Sequence, residues 1–148
     1  MIKLLAEFTI PMVGKRGGKI PISLNKLNSI SPNSKIPPWA IRKRVKDHYL
    51  RHCKICYENG ILKAREGELR HVMFIRNIPK RGRLIDTDNL AGGLKALRDV
   101  LIIRGYIWDD DKAHLKDKYI QRKTNNEVES ITIRIGKENE TQEQINNF

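Results

Sequence analysis

Asp86-Thr87-Asp88-Asn89-Leu90, then an apolar run to Arg104, then Gly105-Tyr106-Ile107-Trp108-Asp109-Asp110-Asp111: this stretch decides how the 148-residue chain is organised. Leu90, Leu94, Leu97 and Leu101 recur at helical spacing and predict a helix over about 89–104, with Asp88 as its N-cap and Gly105 as its stop. Upstream, residues 68–77 alternate, with Val72, Phe74 and Ile75 as buried candidates, and end at Pro79, which predicts a strand. Downstream, 115–122 and 130–135 predict two further strands, closing as a hairpin through the polar turn Thr124-Asn125-Asn126. Residues 2–10 read as a strand that stops at Pro11. Pro37-Pro38 open another helix, whose stripe Ile41, Val45, Tyr49, Cys53 and Cys56 runs to a stop at Asn59-Gly60. The order β-α-β-α-β-β predicts an α+β fold in two layers, a small mixed sheet of about four strands packed on two main helices. No internal repeat is visible.

A chain of this length is enough for one domain with an ordinary core, here expected over 1–136. Residues 11–38, rich in Gly, Pro, Ser, Asn and Lys, form a basic loop longer than ordinary connections, expected to be mobile until substrate binds. Residues 137–148 are polar and aperiodic, a disordered tail by expectation. No stretch approaches the length of a membrane span and no signal peptide is apparent, so the expected location is the cytoplasm, with no membrane partner.

Formal net charge is +12, unevenly spread: nineteen Lys/Arg face five Asp/Glu over residues 1–85, against ten and twelve over 86–148. A basic body with a localised acidic centre suits a polyanionic partner. Lys15, Arg16 and Lys19 are interleaved with glycines, the second helix presents Arg42 and Lys43, and Lys80-Arg81-Gly82-Arg83 lead straight into Asp86. These groups offset the repulsion between phosphates and carboxylates, and with Lys26 they are the candidate DNA contacts. Trp39 reads first as a core anchor at the helix start, with base stacking as the alternative.

Capping alone does not explain Asp86 or the run Asp109-Asp110-Asp111. Convergent carboxylates hold hard divalent cations such as Mg²⁺, which take one or two carboxylates together with phosphate and water. A straight helix of sixteen residues spans over 20 Å at about 1.5 Å per residue, so the run reaches Asp86 only if the chain turns back or a partner subunit supplies it. Cys53 and Cys56 are a lone pair without the second pair of a zinc ribbon. His48, His52 and Cys56 share i, i+4, i+8 spacing but lack a fourth ligand, and free thiols in a reducing compartment are the expected state.

The pattern Asp86-Thr87-Asp88-Asn89-Leu90, a helix, then Gly105-Tyr106-Ile107-Trp108-Asp109-Asp110 resembles the RusA family of phage-associated Holliday junction resolvases. Ser23-Leu24-Asn25-Lys26-Leu27 followed by Trp39, Arg42 and Lys43 is similar to the N-terminal segment of phage members, a likeness that adds Asn25 to the expected DNA contacts; together the blocks cover most of 20–112. The resemblance implies a Mg²⁺-dependent homodimer, with Mn²⁺ as a possible substitute, that binds four-way DNA junctions and makes paired nicks in the bacterial or phage-infected host cytoplasm. It places the three acidic residues on Asp86, Asp88 and Asp110, with Asp109 as the other member of the acidic pair. The family's functional lysine falls on Gly92; Lys95, on the same helical face as Asp88 and Gly92, is expected to take its place. Two other classes compete: a non-catalytic basic DNA-binding module, and a metal nuclease for other branched DNA.

Overall fold

The computed structural model of the chain describes residues 1–23, 27 and 36–139. Four strands, β1 (Ile2–Pro11), β2 (Arg70–Ile78), β3 (Leu115–Lys123) and β4 (Ser130–Glu138), form one mixed sheet in the order β1-β4-β2-β3. Helices α1 (Pro38–His52), α2 (Thr87–Gly93) and α3 (Lys95–Ile103) cover one face, which gives the α+β class expected. Register places Ala6, Phe8 and Ile10 of β1 across from Ile135, Ile133 and Ile131 of β4, and these across from Val72, Phe74 and Arg76 of β2. That row is the helix-facing side of the sheet. Leu90, Leu94, Leu97, Val100 and Leu101 close over it, all fully buried.

The expected hairpin of the last two strands does not form. β3 pairs with β2 in parallel, and β4 crosses over to lie between β1 and β2, antiparallel to both. Composition accounts for the choice. β4 carries Ile131, Thr132, Ile133, Ile135 and Gly136, all buried, as a central strand requires, whereas β3 carries Lys116, Asp117, Lys118, Arg122 and Lys123, charges that suit an edge. The strand also runs on to Glu138, past the expected start of the tail, and Asn139 N donates to Met1 O at 3.0 Å; residues 140–148 lie outside the described part.

One helix ends earlier than the periodicity predicts, and the other is interrupted. α1 stops at His52; Cys53 and Ile55 are extended, and Cys56–Asn59 form a separate 3₁₀ turn that Gly60 closes at φ 79°. The stripe through Cys56 is therefore not one helical face, and the His48, His52, Cys56 spacing has no metal geometry behind it. The long helix breaks at Leu94 (φ −96°, ψ 11°) into α2 and α3. Arg98 of α3 spans the break, donating to Ala91 O at 2.7 Å and to Tyr119 Oη at 2.7 Å. Gly105 ends α3 as expected: Gly105 N bonds Ile102 O at 3.1 Å and Tyr106 N bonds Leu101 O at 2.9 Å, with Gly105 at φ 87°.

The expected mobile loop is in part a built element. Val13 and Lys19 pair across a tight turn, Gly14 N bonds Gly18 O at 2.8 Å, and Met12, Ile20 and Ile22 are buried in the core. The chain then crosses α2 so closely that a Cβ on Gly93 would collide with the Ile22 carbonyl. Residues 24–26 and 28–35, with Asn25 and Lys26 among them, lie outside the described part.

Candidate functional site

The parallel pair β2–β3, joined through α2 and α3, has a carboxyl end and an amino end, and the acidic residues divide between them. Asp86 and Asp88 sit at the carboxyl end, the usual place for ligands in a βαβ unit. Asp86, not Asp88, is the N-cap of α2: its Oδ1 accepts from Asn89 N at 2.8 Å, and Asp88 lies in the first turn. Both are exposed, and among the described residues no hydrogen bond engages the Asp88 carboxylate.

What holds this end in place is a buried arginine that the sequence reading did not single out. Arg76 Nε donates to Glu129 Oε1 at 2.7 Å, and its Nη1 donates to Gln121 Oε1 at 2.8 Å and to Arg83 O at 2.7 Å. Gln121 in turn accepts from Ile85 N at 3.2 Å and donates to Ile85 O at 2.5 Å. Arg76 and Gln121 are register partners, so two side chains of adjacent strands reach up and fix the backbone just ahead of Asp86. Lys80 N also bonds Asn126 O at 2.9 Å, and Gly82 N bonds Pro79 O at 2.8 Å. The loop that presents Lys80, Arg81 and Arg83 to solvent is thus clamped at both ends. A signal for this was present: an arginine directly after the apolar run Val72–Ile75 of a central strand must find partners.

At the amino end the acidic run is occupied differently. Asp111 Oδ1 accepts from Ala113 N at 3.1 Å and His114 N at 3.0 Å. Gly67 N donates to His114 Nε2 at 2.9 Å, so the imidazole proton is on Nδ1 and points at Asp111 Oδ1, 2.7 Å away. The hydrogen bond from His114 lowers the Asp111 pKa below the usual carboxylate value. Asp111 is therefore a structural residue that turns the chain into β3. Asp109 Oδ1 accepts from Asp110 N at 2.7 Å, which leaves the exposed Asp110 carboxylate as the one of the three that no hydrogen bond holds among the described residues.

Six residue steps along β3, from Leu115 beside the acidic run to Gln121 beside Ile85, separate the two ends, about 20 Å at a strand's rise. The three carboxylates expected together are not gathered within one chain, and among the described residues no group of three or more His, Cys, Asp or Glu is placed to hold a metal. The reason is geometric: α2 and α3 carry the chain the full length of the sheet. The pair Asp86 and Asp88 still fits Mg²⁺ by donor type and number, since that ion takes one or two carboxylates and completes its shell with phosphate and water.

The basic candidates surround the carboxyl end and the helix face beside it. Lys15, Arg16 and Lys19 are exposed on the hairpin, whose Gly18 lies near the Arg44 guanidinium of α1. Arg42 and Lys43 are exposed on α1, and Lys43 pairs with Asp47 at 3.1 Å. Lys95 is exposed at the start of α3, paired with Asp99 at 3.6 Å, and still lines one groove with Gly92 despite the break at Leu94. Trp39 is 68% exposed, so it is not the core anchor expected. Cys53 and Cys56 are buried free thiols, and burial pushes the Cys53 thiol up to about 12, an inert side chain. Among the described residues no helix is long and apolar enough to cross a membrane. No protein-family model matches the chain, and no curated protein matches it in sequence.

Proposed function

We propose that the chain is a Mg²⁺-dependent, structure-specific endonuclease of the RusA type that resolves four-way DNA junctions as a cytoplasmic homodimer. One observation carries the reading: two exposed carboxylates, Asp86 and Asp88, stand at the carboxyl end of a parallel strand pair directly behind a clamped basic loop. Carboxylates alone would repel a phosphodiester, and basic groups alone would bind DNA without cutting it. Together they seat a phosphate and a cation side by side.

In this reading Asp86 and Asp88 would hold Mg²⁺, or Mn²⁺ in its place, which would supply polarisation of the scissile phosphate and activation of water. Lys80, Arg81, Arg83 and the hairpin cations Lys15, Arg16 and Lys19 grip flanking phosphates, and Lys95 offsets charge developing on the phosphoryl oxygens. Asp110, with Asp109 beside it, comes to the site from a second copy of the chain. Dimerisation then both completes each centre and supplies the two cuts that a two-fold junction requires.

The test is a labelled four-way junction with Mg²⁺, wild type beside Asp88→Asn. Wild type is expected to nick opposing strands and Asp88→Asn to bind without nicking. The separation of the carboxylates in one chain favours a second reading, a basic DNA-binding module. Wild type that binds several junction sequences and cuts none puts that module in the endonuclease's place. Equal cutting of flaps and linear duplex replaces junction resolution with a general metal nuclease.

A further inference from the structure

Trp39, Arg42, Lys43 and Lys46 fall at i, i+3, i+4 and i+7 of α1, one face of the helix. Across from that face run α2 and α3, and between them lies an open groove of about 450 Å³. Val45 and Ala96 give it an apolar floor, while Arg42, Lys43, Lys46 and Lys95 stand along its rim with Asp99. Gly92, in the groove wall, is one helical turn from Asp88, so the groove leads to the carboxyl end of the sheet. Trp39, one turn before Arg42 on the same face of α1, is a large aromatic ring left in solvent.

We infer that this groove binds an unpaired DNA strand, with bases against the apolar floor and Trp39, and phosphates against the rim cations. The inference deepens the nuclease reading, because it names what lies next to the cut. Charge and shape select the occupant. A duplex offers phosphates to a surface but keeps its bases stacked inside, so it would leave the floor and the tryptophan uncovered. A single strand presents both, and an aromatic ring accepts any base on its face. The volume suits a nucleotide-sized ligand. Lys43–Asp47 and Lys95–Asp99 are exposed ion pairs, worth little in water, so both lysines can turn to phosphate at small cost.

The experiment is binding in EDTA, where no cutting is possible, using a fluorescein-labelled twelve-residue oligothymidylate, a blunt duplex of equal length, and free thymidine monophosphate. In a Trp108→Phe background the remaining tryptophan is Trp39. Its emission is expected to quench as the oligonucleotide binds. Trp39→Ala is expected to weaken the single strand about tenfold or more and the duplex less than twofold, with Trp39→Phe recovering most of the loss. Arg42→Ala with Lys46→Ala is expected to weaken the single strand and flatten its salt dependence. Unchanged emission, or Trp39→Ala that binds the single strand like wild type, overturns the inference. So does equal loss on the duplex, which marks a general basic surface. Monophosphate competing as well as the oligonucleotide overturns it in favour of a mononucleotide pocket. Junction cleavage that survives loss of single-strand binding removes the groove and leaves the nuclease; single-strand binding without any cleavage does the reverse.

Discussion

The two ends of the β2–β3 unit carry acidic residues to different purposes. At the amino end Asp111 is spent on its own chain, bonded to two backbone amides and to His114. At the carboxyl end the polar groups that the chain consumes are Arg76, Gln121, Glu129 and the capping oxygen of Asp86, and the work they do leaves Asp88 uncommitted in solvent beside a fixed basic loop. Acidic residues that look alike in sequence thus separate into those that build and those that remain open to a ligand. The difference lies in which neighbours satisfy them.

The sharpest way to break the contrast is to neutralise one carboxylate at each end. Asp88→Asn is expected to cut nuclease activity by roughly a hundredfold or more, since even groups behind a metal ligand are worth 10–100-fold, with the thermal midpoint unmoved. If the amino end of a second copy completes the site, mixing inactive Asp88→Asn with inactive Asp110→Asn restores nicking through mixed dimers; no restoration removes the partner's role. Next in size is Arg76→Met. It leaves the half-buried Glu129 carboxylate without its partner and is expected to cost about 2 kcal/mol, read by urea unfolding, and to loosen the loop so that cleavage falls as well. Gly93→Ala sits between the ends. It forces the Ile22 backbone off α2 at a cost of about 1–3 kcal/mol, with the same readout.

The smallest effect belongs to Asp111→Asn. The Asp111 pKa is lowered in the folded chain, so its contribution is present above the unfolded value near 4 and disappears as pH falls through the folded value. Thermal midpoints of wild type are therefore expected to drop more steeply than those of Asp111→Asn on acidification below about pH 4, while cleavage at neutral pH stays within about twofold.

Much of this architecture could be read in advance. Strands, two main helices, the proline start of α1 and the Gly105 stop all follow from local chemistry, and the structure has them. The pairing of β3 with β4 did not, because a polar turn between two short strands looks the same whether they pair or part. The informative residues were Ile131, Ile133 and Ile135 beside Thr132 and Gly136, a strand buried on both faces. Leu94 broke a helix whose periodicity ran straight through it, since a local change of ψ leaves the spacing of leucines unaltered. Acidic clustering along the chain was legible, but its dispersal in space was not, because the length of α2 and α3 against the sheet decides it. Trp39 was misjudged for a similar reason. Burial depends on what packs opposite, and only Val45, His48 and Tyr49 of α1 turn fully inward.

The late arrival of β4 in the middle of the sheet has a kinetic consequence. Until residues 130–138 have left the ribosome, β1 and β2 have no common neighbour, and the backbone edges that will flank β4 wait unpaired. Folding of this chain is then a single closing step ruled by contacts between its first and last strands, slow for its size and vulnerable to self-association while it waits.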